Sequence, residues 1–536
     1  MSNARTEAPP DRTLAWLIFG LAAVLFAMQL RSLFVFPEPN SFRWYGDETW
    51  LMTEAHQQLS TGKVTYPLAI GSQLAHGKGL VLSMTWLSAV LYGLPIWLSG
   101  QDPVATGRIV TAMLALGLLF SLYFTSRTFG VSRLASALVI LFLVGTRAFF
   151  FASHSARPDL LAGLIVMLVI GSLSRASSAI IPRRNRGWFA VGAALVFLAV
   201  SSSVHLITLL GPVAIYLVWQ GTKGTPGTKW QFRWACAAGA ISLLGILVFL
   251  YYLTNGSLRL FPPSASNGQF HDVLHAIPIF RPFSRSVQVA NIVIRFKEFV
   301  AEAPAIFLLP LLIPFTDPVN ASRRTLALSV SIVALSWLFL EGAEINYLMH
   351  LLPLLFLCGT LAIAKIIERW HFSRYTFFAL AVAYFILGLR DAGMAFTTGS
   401  EIHTSNQQAA KIIDDSITSS WRSADTPLVL TEPPMLERLS QDRAFRTMTD
   451  HFISFPNYPI PYDSFFSREH VNYAVLYNSP TFPKNRPVDD PFYQSVLRNG
   501  DVVTKVDGMS GDAGRNYFDH SNWQDTILLV KLKNTH

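Results

Sequence analysis

Two acidic sites in this sequence stand immediately beside apolar segments, and they are the first residues to question about chemistry. Asp47 and Glu48 lie in Tyr45-Gly46-Asp47-Glu48-Thr49-Trp50, just after the first hydrophobic run. Asp159 lies in His154-Ser155-Ala156-Arg157-Pro158-Asp159, between the apolar runs 134–152 and 160–174. A carboxylate at the edge of hydrocarbon is costly to hold, so a membrane protein that keeps one there usually uses it. Cations accompany both sites: Lys78 and Arg108 follow the first, and Arg157 sits two residues before Asp159. A carboxylate can take a proton from a hydroxyl, and Arg or Lys can steady a developing phosphate charge.

The elements that must position these residues are membrane spans. Of the 536 residues, 51% are hydrophobic and only 14% charged, with a mean hydropathy of +0.38. A soluble domain carries about 25% charged residues. Runs such as 14–36, 108–126, 134–152 and 188–206 are long enough for a hydrocarbon core of ~30 Å. Further spans are expected near 160–174, 207–220, 235–254, 299–315, 325–340, 348–366 and 376–391, about eleven in all. The first run lacks a clear small-residue cleavage site and is followed by further spans, so it reads as a span and not a signal peptide.

The net charge of +9 does not point to nucleic acid. The basic residues cluster in short loops, among them Arg183, Arg184 and Arg186, then Arg323 and Arg324, as cytoplasmic loops do. Cys236 and Cys358 fall in or beside apolar segments and give neither a disulfide framework nor a zinc cluster. Charge leaves 79–99 open: if it crosses, the basic clusters stay inside only with the N-terminus outside, and if it lies at the interface without crossing, a cytoplasmic N-terminus puts them inside. The loop 37–107 and the tail from 393 then lie outside. The tail is polar, has no further span, and has strand-like runs at 427–430, 473–477 and 526–530. Apolar Ala409, Ile412, Ile413 and Ile417 mark one face of a helix over 405–421. A small α/β domain over 393–536 is the expectation, after a transmembrane module over 1–392.

Each acidic site also has a plain structural reading. Asp47-Glu48 can cap the helix expected over 49–59, and Asp159 can cap the one beginning at Leu160. Lys78, Arg108 and Arg157 can simply reach the headgroup layer.

Gly46-Asp47-Glu48-Thr49-Trp50, followed by Met52-Thr53-Glu54-Ala55, Thr61-Gly62-Lys63 and Lys78-Gly79, resembles the first extracytoplasmic loop of the GT-C membrane glycosyltransferases. The lipid A aminoarabinose transferases and protein O-mannosyltransferases are the groups it is most similar to. Arg108 at a span entrance, Arg157-Pro158-Asp159, and Tyr347-Leu348-Met349-His350-Leu351-Leu352-Pro353 also resemble family positions. The proline common after the lysine corresponding to Lys78 is missing, and the tail shows little likeness. The resemblance implies an all-α polytopic fold with a small extracytoplasmic α/β domain at the C-terminus. It implies inverting transfer of a sugar from a polyprenyl-phosphate donor to a hydroxyl of a lipid, glycan or protein acceptor.

On this resemblance Asp47 is the expected base, Glu48 its orienting neighbour, and Asp159 a second carboxylate that positions the acceptor or a metal. Arg157, Lys78, Arg108, Tyr347 and His350 are expected at the donor phosphate. Glu344 and His154 are the candidates for a divalent ion, whose requirement the sequence leaves open. The location implied is a bacterial inner membrane, with the site and tail facing the periplasm. A transporter of lipid-linked sugar, or a non-catalytic scaffold, would also carry many spans. The first should show inverted repeats and mid-span charges; neither is evident.

Overall fold

The computed structural model describes residues 9–35, 86–100, 102–178, 348–370, 374–423 and 425–431, with 446–449, 462–468, 470–478, 491–509 and 524–533. It also describes the helical positions Glu48, Leu51, Met52, Ala55, His56 and Leu59, and a few between 188 and 198. The expected spans at 207–220, 235–254, 299–315 and 325–340 lie outside the described residues.

Helix α1 (Pro9–Leu30) buries Ala15, Ile18, Ala22, Leu25 and Phe26, a three-and-four spacing that gives one continuous stripe. Helix α2 (Trp86–Ser99) holds 14 residues, with Pro95 inside it. At 1.5 Å per residue the described helix is roughly 21 Å long. Helix α3 (Pro103–Thr128) starts sharply because Asp102 accepts from the Val104 and Ala105 amides and Pro103 needs no amide partner.

The single span expected over 134–152 is two helices, α4 (Arg133–Val144) and α5 (Arg147–His154), meeting at 68°. Thr146 causes the break. Its hydroxyl donates to the Leu143 carbonyl at 2.7 Å, closing α4, and accepts from the Phe149 amide at 3.4 Å, opening α5. Helix α6 (Asp159–Ser178) returns, and α7 (Leu348–Trp370) packs against α6.

Helix α8 (Arg374–Ser420) runs unbroken for 47 residues. Both the expected span 376–391 and the expected helix 405–421 are parts of it, and the boundary expected after 392 falls inside it. No proline interrupts the stretch between them, and packing on either side favours continuation over a loop. Its first half contacts α1, and its second half contacts the sheet.

Three of these helices, in Asp11–Leu30, Pro103–Thr128 and Tyr375–Ser420, are long and apolar enough to cross a membrane; the bent α4–α5 pair makes four. Large apolar side chains on them face outward, Trp16 65%, Met113 65%, Phe120 63% and Ile386 58% exposed. Surface of that kind is stable in hydrocarbon and not in water. The described residues fit a polytopic membrane protein.

Strands β1 (Leu428–Thr431), β2 (Arg446–Thr449), β3 (Tyr473–Asn478), β4 (Gly500–Met509) and β5 (Gln524–Leu532) form one mixed sheet, ordered β2-β1-β3-β5-β4. The β1 pairings are parallel, and β5 pairs antiparallel with β3 and β4. Side chains alternate faces with period two. Val429, Val475, Ile527 and Leu529 meet Ala409, Ile413 and Ile417 of α8. Leu430, Ala474, Leu476 and Val530 meet the short helices α9 (Tyr462–Arg468) and α10 (Pro491–Arg498).

Ile413 is fully buried at the α8–sheet contact. Ile413→Ala should weaken that contact by about 2–5 kcal/mol. Limited proteolysis should then cut within 428–532 faster, with the membrane helices unaffected; unchanged cleavage would refute the docking role.

Candidate active site at the ends of the apolar helices

The described positions Glu48, Leu51, Met52, Ala55, His56 and Leu59 repeat at helical spacing and lie on one helix face. That face packs with Tyr92 and Ile96 of α2 and with Ala156. Two glycines permit the approach. A Cβ on Gly93 would collide with the Ala55 carbonyl, and one on Gly107 with the Met52 side chain and the Ala156 methyl. Both positions therefore require the absence of a side chain.

This packing delivers Glu48 to Arg108, sixty residues away along the chain. Arg108 Nε donates to Glu48 Oε1 at 3.1 Å and Nη2 to Oε2 at 2.6 Å. The pair is bidentate and buried, with side chains only 4% and 1% exposed. Arg108 Nη1 also donates to the Leu33 carbonyl at 3.2 Å, just past the end of α1. Glu48 Oε1 further accepts from the Ala156 backbone amide. One carboxylate thus joins α3, the α1 terminus through Arg108, and the turn between α5 and α6.

That turn carries the second acidic site. Arg157 Nε donates to Asp159 Oδ2 at 3.0 Å, with both side chains nearly buried. The first α6 bond is accepted by the Pro158 carbonyl, from the Ala162 amide at 3.1 Å. Asp159 is the first helical residue, not the cap, and its carboxylate engages Arg157. Beneath the turn, His154 is fully buried. Its Nε2 lies 2.7 Å from the Gln29 carbonyl and its Nδ1 2.7 Å from the Phe150 carbonyl, with the ring stacked on Phe150.

The structure therefore brings Glu48, Arg108, Arg157, Asp159 and His154 together, five of the residues singled out from the sequence. Arg108, expected at the donor phosphate, has three of its nitrogens bonded to Glu48 and Leu33. His154, a metal candidate, has both ring nitrogens beside carbonyl oxygens. Asp47, Lys78, Glu344 and Tyr347 lie outside the described residues; His350 falls in the first turn of α7, with its side chain outside them. Among the described residues no three His, Cys, Asp or Glu side chains gather as a metal site.

Sequence reasoning overlooked Tyr92, Thr111, Gly107 and Gln29, and took Gly93 only as a break in the apolar run 79–99. Tyr92 is fully buried, and burial pushes its phenol well up, so it stays protonated and able to donate. Gln29 ties α1 to the α4 terminus, its Nε2 donating to the Val144 carbonyl at 2.8 Å.

The chain shares its overall fold with solved structures of ArnT and of an oligosaccharyltransferase, in keeping with the fold that the sequence resemblance implies. Among solved structures the chain is similar to ArnT from Cupriavidus metallidurans bound to undecaprenyl phosphate. The two share 14% identity over 96% of this chain and 97% of that one, with a TM-score of 0.55. The apo state of the same ArnT gives 13% identity, 95% and 98% coverage and a TM-score of 0.52. The apo oligosaccharyltransferase of Archaeoglobus fulgidus gives 11% identity, 86% and 69% coverage and a TM-score of 0.50. No protein-family model matches the chain, and no curated protein matches it by sequence.

Proposed function

We propose that this chain is a membrane glycosyltransferase that moves a sugar, with inversion, from a polyprenyl-phosphate donor to an acceptor hydroxyl on the extracytoplasmic face. The observation that carries the reading is the buried Glu48–Arg108 pair bonded to the Arg157–Asp159 turn, in a fold whose solved counterpart binds undecaprenyl phosphate. In the bacterial inner membrane, the site and the 393–536 segment would face the periplasm. The lipid chain would lie among membrane lipids while the sugar meets the 37–107 loop. The acceptor is a lipid, glycan or protein.

In this mechanism Asp47, next to the braced Glu48, takes the acceptor proton. The hydroxyl oxygen bonds to the sugar C1 as the C1–O bond to phosphate breaks, and the bonding pair leaves on the phosphate oxygen. Phosphate departs without protonation, so cations replace a general acid. Arg157 and Lys78 serve the phosphate together with Tyr347 and His350, while Arg108 acts by holding Glu48. Asp159 orients Arg157 and faces the acceptor. Should a divalent ion take part, Asp47 and Glu344 are the carboxylates to hold it, and the ion would add positive charge beside the leaving phosphate. No nucleotide is needed, because the reactive bond is already in the donor.

The test is transfer from a panel of purified polyprenyl-phosphate sugars to membrane extracts and peptides, with wild type beside Asp47→Asn. A base contributes about 10²–10⁴-fold, so the variant should lose at least about a hundredfold at unchanged expression. Wild-type transfer that survives the substitution removes Asp47 as the base. No transfer from any donor sinks the enzyme reading in favour of a transporter or scaffold.

A further inference from the structure

We infer that Tyr92 is a positioning residue that sets the spacing between the two acid-bearing elements of the site. The catalytic consequence rests on the transfer reading above; the geometry does not.

The turn between α5 and α6 is gripped from outside at successive residues. Glu48 holds the Ala156 amide, and the Tyr92 hydroxyl donates to the Arg157 carbonyl at 2.7 Å. The carbonyl belongs to the bond with Pro158, which has no amide proton to offer a neighbour. Within the turn, the Arg157 amide donates to the Ser155 carbonyl at 2.8 Å. The two outside holds come from two different helical elements, and those elements are locked to each other where Gly93 meets Ala55. The result is a closed triangle: the Glu48 helix, α2, and the turn that carries Arg157 and Asp159. Removing one side of a triangle frees the angle opposite, so the phenol length fixes where Arg157 and Asp159 stand relative to Glu48.

Thr111 of α3 supports this side without completing it. Its Oγ1 lies 3.0 Å from the Tyr92 hydroxyl and can donate to the Gly107 carbonyl at 3.0 Å. With the Tyr92 proton on Arg157, Thr111 steadies the phenol and is not itself a hold on the turn. The Tyr92 ring packs with Met52, Ala55 and Ile96. Tyr92→Phe therefore keeps that packing and deletes one hydroxyl.

The experiment pairs steady-state transfer with hydrogen exchange of the full chain in detergent, for wild type, Tyr92→Phe and Thr111→Val. Tyr92→Phe should lower kcat about tenfold, equivalent to about 1.4 kcal/mol, with the donor KM within about twofold. Amides of 155–159 should exchange about tenfold faster, with the spans unaffected. Thr111→Val, which leaves the Arg157 contact intact, should change either readout less than about threefold. Wild-type kcat and unchanged protection in Tyr92→Phe would overturn the inference, as would equal losses in Thr111→Val or exchange accelerated throughout the chain. If wild type transfers no sugar at all, the failure belongs to the function, and exchange at 155–159 still decides for or against Tyr92.

Discussion

Glu48→Ala is expected to lose about 3–5 kcal/mol of stability together with all measurable transfer. Breaking a buried ion pair by removing one partner leaves the other charge without compensation. Arg108 would keep its place, 4% exposed, with its Nε and Nη2 donors facing a void. The Ala156 amide would lose its acceptor as well. A control separates charge from shape. In a Glu48→Met, Arg108→Met double variant both charges are gone, and replacing a buried pair by apolar groups of similar volume is often neutral. Its melting midpoint in detergent should recover most of the single variant's loss, while transfer stays absent, because Glu48 no longer holds the Ala156 amide. A Glu48→Ala protein as stable as wild type would mean that the pair contributes nothing to the fold.

Gly93→Ala should be nearly as damaging, for a steric reason. The new Cβ would meet the Ala55 carbonyl oxygen and, at 2.9 Å, both its carbon and the Leu59 Cδ1. A flexible side chain could swing aside, but a helix carbonyl cannot, so the Glu48 helix must move as a unit. Overpacking of this kind costs about 1–3 kcal/mol. Catalysis should suffer more than stability, since a displacement of 1 Å at reacting groups costs about a hundredfold. Gly107→Ala meets the Met52 side chain, which can swing aside, and the Ala156 methyl at 2.9 Å, but no backbone atom, and should be milder. Equal transfer by wild type and Gly93→Ala would show that the interface tolerates separation.

The parts of this architecture that were legible in the sequence are those written in local signals. Apolar helices announce themselves by length and hydropathy, which is why α3, α6 and α7 coincide with their expected runs, although of the three only α3 is long and apolar enough throughout to cross a membrane. The Arg157-Pro158-Asp159 turn was readable because its charges are two residues apart and a proline stands between them. The Glu48–Arg108 pair was not, since nothing in a period of 3.6 residues links positions sixty apart. Tyr92 disappeared into an apolar helix, where a phenol counts as hydrophobic until its hydroxyl is seen to bond. The break between α4 and α5 did have a signal, Gly145-Thr146, but a hydropathy window averages across it. Conversely, the stretch between the expected span 376–391 and the expected helix 405–421 holds no proline, and α8 runs through it without a break. Strands β1, β3 and β5 are apolar and were anticipated, whereas β2 and β4, at the two edges, are more polar and were not.

The unbroken α8 has a mechanical corollary. Forty-seven residues of helix span roughly 70 Å. Its lower part presents Leu380, Ile386 and Leu387 to the surroundings, and its upper part is fastened to the sheet by Ile413 and Ile417. With no break between these parts, the elevation of the sheet in a membrane would be set by where lipid tails meet the shaft. A bilayer thicker by one helical turn, about 5 Å, would raise the sheet against the headgroups or tilt the whole shaft to compensate. Lipid composition would thereby become a mechanical input, adjusting how far the sheet stands from the acyl chains without any change in the protein's own contacts.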